Sequence, residues 1–189
     1  MKINFKELFL IPNILSILRL ILLLPLCYLI LYKFETQKSV IIFIMILMYI
    51  TDLSDGYIAR KFNQISETGK ILDPLADKIS IIILSILIFI KGLLPLWFLI
   101  IVIFRDVLIL IFGLRLEKKT GKVLMSNYPG KIAVLGIGIV LLLNLLQISV
   151  ITEFIPYFYY IILILIIYSS YLYYKRYKQT IGEIMDGNH

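Results

Sequence analysis

The sequence predicts an all-α integral membrane protein with six transmembrane helices. Three observations predict it. Hydrophobic residues make up 61% of the 189 residues against 16% charged, with a mean hydropathy of +0.98. A soluble domain sits nearer half apolar and a quarter charged. The apolar residues gather into six long runs, each near the roughly 20 residues that a spanning helix needs. The basic residues fall mostly in the segments that such helices would place on one side. This composition excludes an ordinary soluble enzyme, a disordered chain and a disulfide scaffold. The net charge of +7, from 19 Lys+Arg against 12 Asp+Glu, is the kind that marks cytoplasmic loops rather than nucleic-acid binding.

The first span runs from about Ile14 to Tyr32, with Pro25 inside it as a candidate kink. The second runs from about Val40 to Ala59 and has a polar C-terminal half. The third extends from about Pro74 to Ile90, the fourth from about Pro95 to Leu114, the fifth from about Ile132 to Val150 and the sixth from about Pro156 to Tyr174. Length and continuity favour helices, which satisfy their own backbone polar groups in lipid. Pro12, Pro95 and Pro156 sit near helix starts, where a missing N–H does no harm. Ahead of the first span, Phe5, Leu8 and Phe9 share one helical face. That segment is either a short interfacial helix or an unstructured N-terminus. No A-x-A cleavage site follows the first apolar run, so it is expected to remain as a helix. The chain reads as one membrane domain over 1–189.

Charge orients these spans. With the N-terminus inside, the cytoplasmic segments hold Lys2, Lys6, Arg60, Lys61, Lys70, Arg115, Lys118, Lys119, Lys122, Lys131, Lys175, Arg176 and Lys178. The opposite side holds only Lys33, Lys38 and Lys91, while Arg19, Lys78 and Arg105 fall within or near the spans. Thirteen against three is a positive-inside signal that puts both termini in the cytoplasm and suits an anionic leaflet. Tyr157, Tyr159, Tyr160, Tyr171, Tyr173 and Tyr174 cluster at the ends of the sixth span as interfacial anchors or as a face for a partner subunit. Cys27 is the single cysteine, a packed or lipid-facing thiol, so no intramolecular disulfide forms. His189 is the single histidine and is terminal.

Four of the 12 acids, Asp52, Asp55, Asp73 and Asp77, lie at the ends of the second and third spans, on the expected cytoplasmic side. Carboxylates at membrane depth are costly and mark function by default. Asp52, Asp55, Gly56 and Ala59 fall at i, i+3, i+4 and i+7, one face of a helix. Asp73 and Asp77 are one turn apart, and Asp73-Pro74 reads as an N-cap followed by proline at the first helical position. Two helix faces thus bring four carboxylates together, which would repel unless cations fill the site. Oxygen-only ligands suit Mg²⁺ or Mn²⁺. Gly56 and Ala59 leave a bare stripe, open either to close helix packing or to a ligand approaching the backbone.

Together these residues spell D-x2-D-G-x2-A-R-x8-G-x3-D-x3-D, from Asp52 to Asp77, with Arg60 and Gly69 between. The pattern resembles the signature of the CDP-alcohol phosphatidyltransferase family, eight residues at fixed spacing across 26 positions. The six-span layout is similar to that family too. The resemblance implies transfer of a phosphatidyl group from CDP-diacylglycerol to an alcohol, with release of CMP. It implies metal ligation by Asp52, Asp55, Asp73 and Asp77, with Asp77 also the candidate general base. Asp52, Gly56, Ala59, Arg60 and Gly69 would bind the cytidine diphosphate end of the donor, Gly69 from a loop closing over it. A homodimer is implied as well.

An anionic acceptor would need cations. Arg105 lies well inside the fourth span and is followed by Asp106, while Arg115 and Lys131 flank the basic loop. These three are the candidates for an acceptor phosphate. An internal Arg105–Asp106 pair is the alternative, against which stands the rule that helix neighbours do not face each other. Within the family, Ile11-Pro12-Asn13-Ile14-Leu15-Ser16-Ile17-Leu18-Arg19, Leu72-Asp73-Pro74-Leu75-Ala76-Asp77-Lys78 and Gly130-Lys131 resemble phosphatidylglycerophosphate synthases, whose acceptor is glycerol 3-phosphate. Arg105-Asp106, with Gly113 and Arg115 beyond, is similar to cardiolipin synthases, which use phosphatidylglycerol. Asn13 and Arg19 are either site residues or helix-start and snorkelling residues. A small cation transporter is the reading from another class. It would explain the acids but not Gly56, Ala59, Arg60 and Gly69 at their spacings.

Overall fold

The structure is a computed structural model that describes residues 7–62, 64, 66, 68–120 and 128–186. Among the described residues all regular structure is helical, as expected. A single 3-10 turn over Glu7–Phe9 precedes α1 (Ile11–Tyr32), α2 (Lys38–Lys61), α3 (Gly69–Ile90), α4 (Leu96–Thr120), α5 (Tyr128–Leu146) and α6 (Ser149–Asp186). The chain forms two compact units, Met1–Leu94 and Pro95–His189.

In the first unit α1 is the common neighbour of α2 and α3. Pro12 sits in the first turn of α1, where its missing N–H costs nothing, and the helix continues through Pro25 to Tyr32. Leu23, Leu26 and Ile30 of α1 are buried, as are Ile41, Met45 and Met48 of α2 and Leu84, Leu87 and Ile88 of α3. Helix α3 ends at Ile90, and just beyond it Gly92, with a φ of +73°, turns its N–H back to the Phe89 carbonyl at 2.8 Å. Beside it the Lys91 ammonium donates to the Leu31 carbonyl at 2.9 Å and lies 5.9 Å from the centre of the Phe34 ring. The C-terminal ends of α1 and α3 are thus pinned together.

Helix α3 starts five residues before the expected Pro74. Asp73 is therefore not an N-cap: it lies in the second turn, and Pro74 is inside the helix. Asp-Pro imitates a start signal, but the true start is set by contacts with residues distant in sequence, described below. Of the N-terminal segment, read as an interfacial helix or as unstructured, the described part ahead of α1 holds the 3-10 turn Glu7–Phe9, and residues 1–6, Phe5 among them, lie outside the described residues.

In the second unit α6 packs on both α4 and α5. Tyr159 of α6 donates its hydroxyl proton to Asn144 Oδ1 of α5 at 2.9 Å and sets its ring 4.6 Å from that of Phe98 on α4. Gln147 takes a φ of +50° and ends α5 at Leu146, short of the expected Val150. Helix α6 restarts at Ser149 and runs 38 residues, so Pro156 is inside it rather than at its start.

Four helices among the described residues are long and apolar enough to cross a membrane: α1, α2, α5 and the Ser149–Gln179 portion of α6. An apolar core is joined by an apolar exterior and by buried polar side chains, unlike the pattern of a soluble protein. Large apolar side chains point outward, among them Leu24, Phe43, Phe104 and Ile164, while Asn13, Ser16, Arg19, Asp55, Arg105, Asp106 and Asn144 are buried. Lipid rewards apolar side chains outside, and polar groups survive at depth only inside a packed bundle.

Candidate active site

The site is organised by α1. Asn13, Ser16 and Arg19 recur every three residues on one face of that helix, and all three are buried. Arg19 is 3% exposed, and a charge so enclosed requires partners. Its Nη1 lies 2.7 Å from Asp52 Oδ1 and its Nη2 2.5 Å from Asp55 Oδ2, so one guanidinium bridges both acids of α2. One turn earlier, Ser16 Oγ donates to Asp73 Oδ1 of α3 at 2.5 Å. The carboxylates of two helices are therefore gathered around a third. Asp55 senses the charges of Arg19, Asp52 and Asp73, and Asp73 those of Arg19 and Asp52. Asp77 follows Asp73 by one turn and is half-buried, and the intervening Ala76 is fully enclosed.

Gly56 lies one turn beyond Asp52 on α2. A Cβ built there would meet only the Arg60 guanidinium, at 3.6 and 3.8 Å, and nothing else described within 4 Å. Close packing against another helix of this unit is thus not why glycine stands at this position. Arg60 is exposed and arches over the bare backbone, and Ala59 beside it is half-buried.

Gly69 is placed differently from expectation: it opens α3 instead of riding on a loop. Its N–H donates to Ser66 Oγ at 2.9 Å, and Ser66 Oγ also accepts from Asn13 Nδ2 at 3.0 Å. A Cβ on Gly69 would stand 2.5 Å from Asn13 Oδ1, so any other residue would force the hydrogen-bonded Asn13 side chain to shift. Asn13 Nδ2 further donates to the Glu7 carbonyl at 2.7 Å, and Glu7 Oε2 accepts from the Thr68 N–H at 2.9 Å. The N-terminal turn and α1 together set where α3 begins, and so where Asp73 lies. Ser16, Ser66 and Glu7 were not foreseen as site residues. The signal available was the three-residue polar spacing of Asn13, Ser16 and Arg19 inside an otherwise apolar span.

In the second unit Arg105 and Asp106 do pair, against the expectation for helix neighbours. Arg105 Nη1 donates to Asp106 Oδ1 at 2.6 Å, and Nη2 donates to the Gly130 carbonyl of α5 at 3.3 Å. Both side chains are buried. The neighbour rule concerns the directions of Cβ atoms, whereas the long arginine arm swings across one position when burial leaves its charge no water. Arg115 and Lys131 are exposed. Lys122 lies outside the described residues.

Among the described residues, no three His, Cys, Asp or Glu side chains stand close enough to hold a metal ion between them. The positive charge between Asp52 and Asp55 is that of Arg19. The donor set itself is carboxylate and hydroxyl oxygen, the chemistry of a hard cation.

Several known proteins are similar to this chain. The chain is 43% identical over 83 residues to a CDP-diacylglycerol–glycerol-3-phosphate 3-phosphatidyltransferase of Bacillus subtilis, covering 43% of this chain and 42% of that protein. It is 38% identical over 111 residues to a protein of the same name from Aquifex aeolicus, covering 58% of this chain and 61% of the relative. It is 44% identical over 101 residues to the cardiolipin synthase (CMP-forming) of Rattus norvegicus, covering 53% and 32%. In each case the match spans less than two thirds of the relative's length. Residues 9–171 match the pattern of the CDP-alcohol phosphatidyltransferases. That stretch holds every acid of the signature, together with the Asn13, Ser16 and Arg19 face that gathers three of them, and the chain belongs to the CDP-alcohol phosphatidyltransferase family.

Proposed function

We propose that this protein transfers a phosphatidyl group from CDP-diacylglycerol to the hydroxyl of sn-glycerol 3-phosphate, giving phosphatidylglycerophosphate and CMP. The observation that carries the reading is the convergence of Asp52, Asp55 and Asp73, from two helices, on the buried polar face of α1. We further propose that α3 and α4 cross the membrane with the other four helices, as one catalytic domain, and that the protein works as a homodimer. The charge asymmetry of the sequence supports a cytoplasmic site and cytoplasmic termini. There the reactive phosphorus of a two-tailed donor meets water.

Asp52, Asp55, Asp73 and Asp77 are the residues that would hold Mg²⁺ or Mn²⁺, which when bound supplies positive charge against the diphosphate and the departing CMP. Asp77 takes the proton of the acceptor hydroxyl as its oxygen attacks phosphorus and the bond to CMP breaks. Arg60, arched over Gly56 and beside Ala59, offers its guanidinium to the cytidine diphosphate end of the donor, while Gly69 fixes the start of α3. Arg115 and Lys131 are the exposed cations for the acceptor's phosphate, and Arg105 holds α5 through the Gly130 carbonyl.

A second reading, phosphatidylglycerol as acceptor and cardiolipin as product, is favoured by the Arg105-Asp106 pair and by the similarity to the rat cardiolipin synthase. Purified protein given CDP-diacylglycerol, divalent cation and each acceptor in turn, with the lipid product identified by mass, separates the two. Phosphatidylglycerophosphate is expected. Cardiolipin alone would transfer the reading to the second acceptor, and no lipid product with either would overturn both.

A further inference from the structure

We propose that Arg19 is a resident counter-ion that exchanges with the divalent cation, holding the Asp52 and Asp55 oxygens in metal-free protein and leaving them when the cation binds. This rests on the metal-binding part of the proposed function.

Three features of Arg19 point to exchange. First, its nitrogens lie 2.7 Å from Asp52 Oδ1 and 2.5 Å from Asp55 Oδ2. A magnesium ion needs its oxygens at about 2.0–2.1 Å. A guanidinium and a metal ion on the same two oxygens would repel each other at short range, so the two cations compete for those oxygens. Second, Arg19 is held incompletely. Nη1 meets Asp52 as a charge contact without hydrogen-bond alignment, and buried Nε has no hydrogen-bond partner among the described residues. A guanidinium has five donors, and one that is only partly used is less costly to displace. Third, the pair is open on one side. The Asp52 side chain is 39% exposed against 3% for Arg19, so an incoming ion reaches Asp52 without passing the arginine.

The role follows from electrostatics. Two acids at membrane depth with no cation between them would repel and draw in water. Arg19 holds them together, ready for the metal, at the cost of opposing its entry.

The test is Mn²⁺ affinity, read from the electron paramagnetic resonance signal of free Mn²⁺ in detergent-solubilised protein without nucleotide. Wild type, Arg19→Lys and Arg19→Met are compared, with thermal unfolding measured with and without Mn²⁺. Arg19→Met is expected to bind Mn²⁺ at least about tenfold more tightly, since hydrogen bonds to charged groups are worth about that much. Its midpoint without metal should fall, and Mn²⁺ should restore it. Arg19→Lys keeps the charge but its single ammonium cannot bridge two carboxylates in the same fork, so it should fall between the two. That comparison decides the matter even if Arg19→Met does not fold without metal. Lysine equal to arginine would make Arg19 a background charge and overturn the exchange. Weaker binding by the variants would make it a support for the metal and overturn it too. Either result leaves the proposed function standing, whereas no Mn²⁺ binding by any of the three proteins sinks the metal reading and the exchange together.

Discussion

Arg19 Nη2 lies 2.5 Å from Asp55 Oδ2, with both side chains buried and 36 positions apart in the chain. This contact ties the acid-bearing end of α2 to the middle of α1. Three of the four signature acids depend for their positions on the α1 face that bears Arg19.

Ser16 is the simplest test of that dependence. Its hydroxyl holds Asp73 through a charge-assisted hydrogen bond, of a kind worth about 1.5–3 kcal/mol. Ser16→Ala should lower kcat by about tenfold or more if that energy goes into orienting Asp73. The protein should still fold. Steady-state CMP release, beside the thermal midpoint, checks it; an unchanged kcat would remove Ser16 from the site.

Asp77 is proposed as base, and base removal has its own signature. General-base catalysis contributes typically about 10²–10⁴-fold, so Asp77→Asn should lose turnover on that scale while still binding CDP-diacylglycerol. Equal loss of donor binding and turnover would make Asp77 a ligand only. Equilibrium binding of CDP-diacylglycerol beside turnover makes the distinction.

Gly69 has no room for a methyl group, because a Cβ would stand 2.5 Å from Asn13 Oδ1. Gly69→Ala should cost about 1–3 kcal/mol as an overpacking substitution. Asn13→Ala, which empties the contested space, should recover part of that loss in the double variant. Unfolding curves of the four proteins give the coupling, and additive losses would mean the two residues do not meet.

Arg105 and Asp106 form a buried pair, and breaking one partner strands the other's charge. Asp106→Asn should cost about 3–5 kcal/mol, whereas the apolar double variant Arg105→Met with Asp106→Leu should recover most of it. Thermal unfolding separates this from a purely functional role, under which the single variant would keep its stability and lose only acceptor affinity.

Much of this was legible before the fold. The acids Asp52, Asp55, Asp73 and Asp77 stand at helical spacings that local periodicity reveals, and the all-helical class follows from the apolar runs. What α1 contributes was less legible. Ser16 meets Asp73 across 57 residues, and no local period encodes such a pairing. Arg19 looked equally like a snorkelling residue because its sequence neighbours are all apolar. The starts of α3 and α6 were misplaced for a related reason: Pro74 and Pro156 look like helix starts. The Glu7, Asn13 and Ser66 network carries α3 back to Gly69, and the turn at Gln147 lets α6 begin at Ser149. Arg105 and Asp106 escaped a rule based on the directions of Cβ atoms, because the arginine arm is long enough to swing across one position.

The central claim is that the carboxylates gathered on α1 perform a metal-dependent phosphatidyl transfer. CMP release from CDP-diacylglycerol by the purified protein, with glycerol 3-phosphate present and Mg²⁺ or Mn²⁺ either supplied or chelated, tests it most directly. The account predicts release that needs both acceptor and metal and is lost in Asp55→Asn. Release that continues under chelation, or that survives Asp55→Asn unchanged, would contradict it.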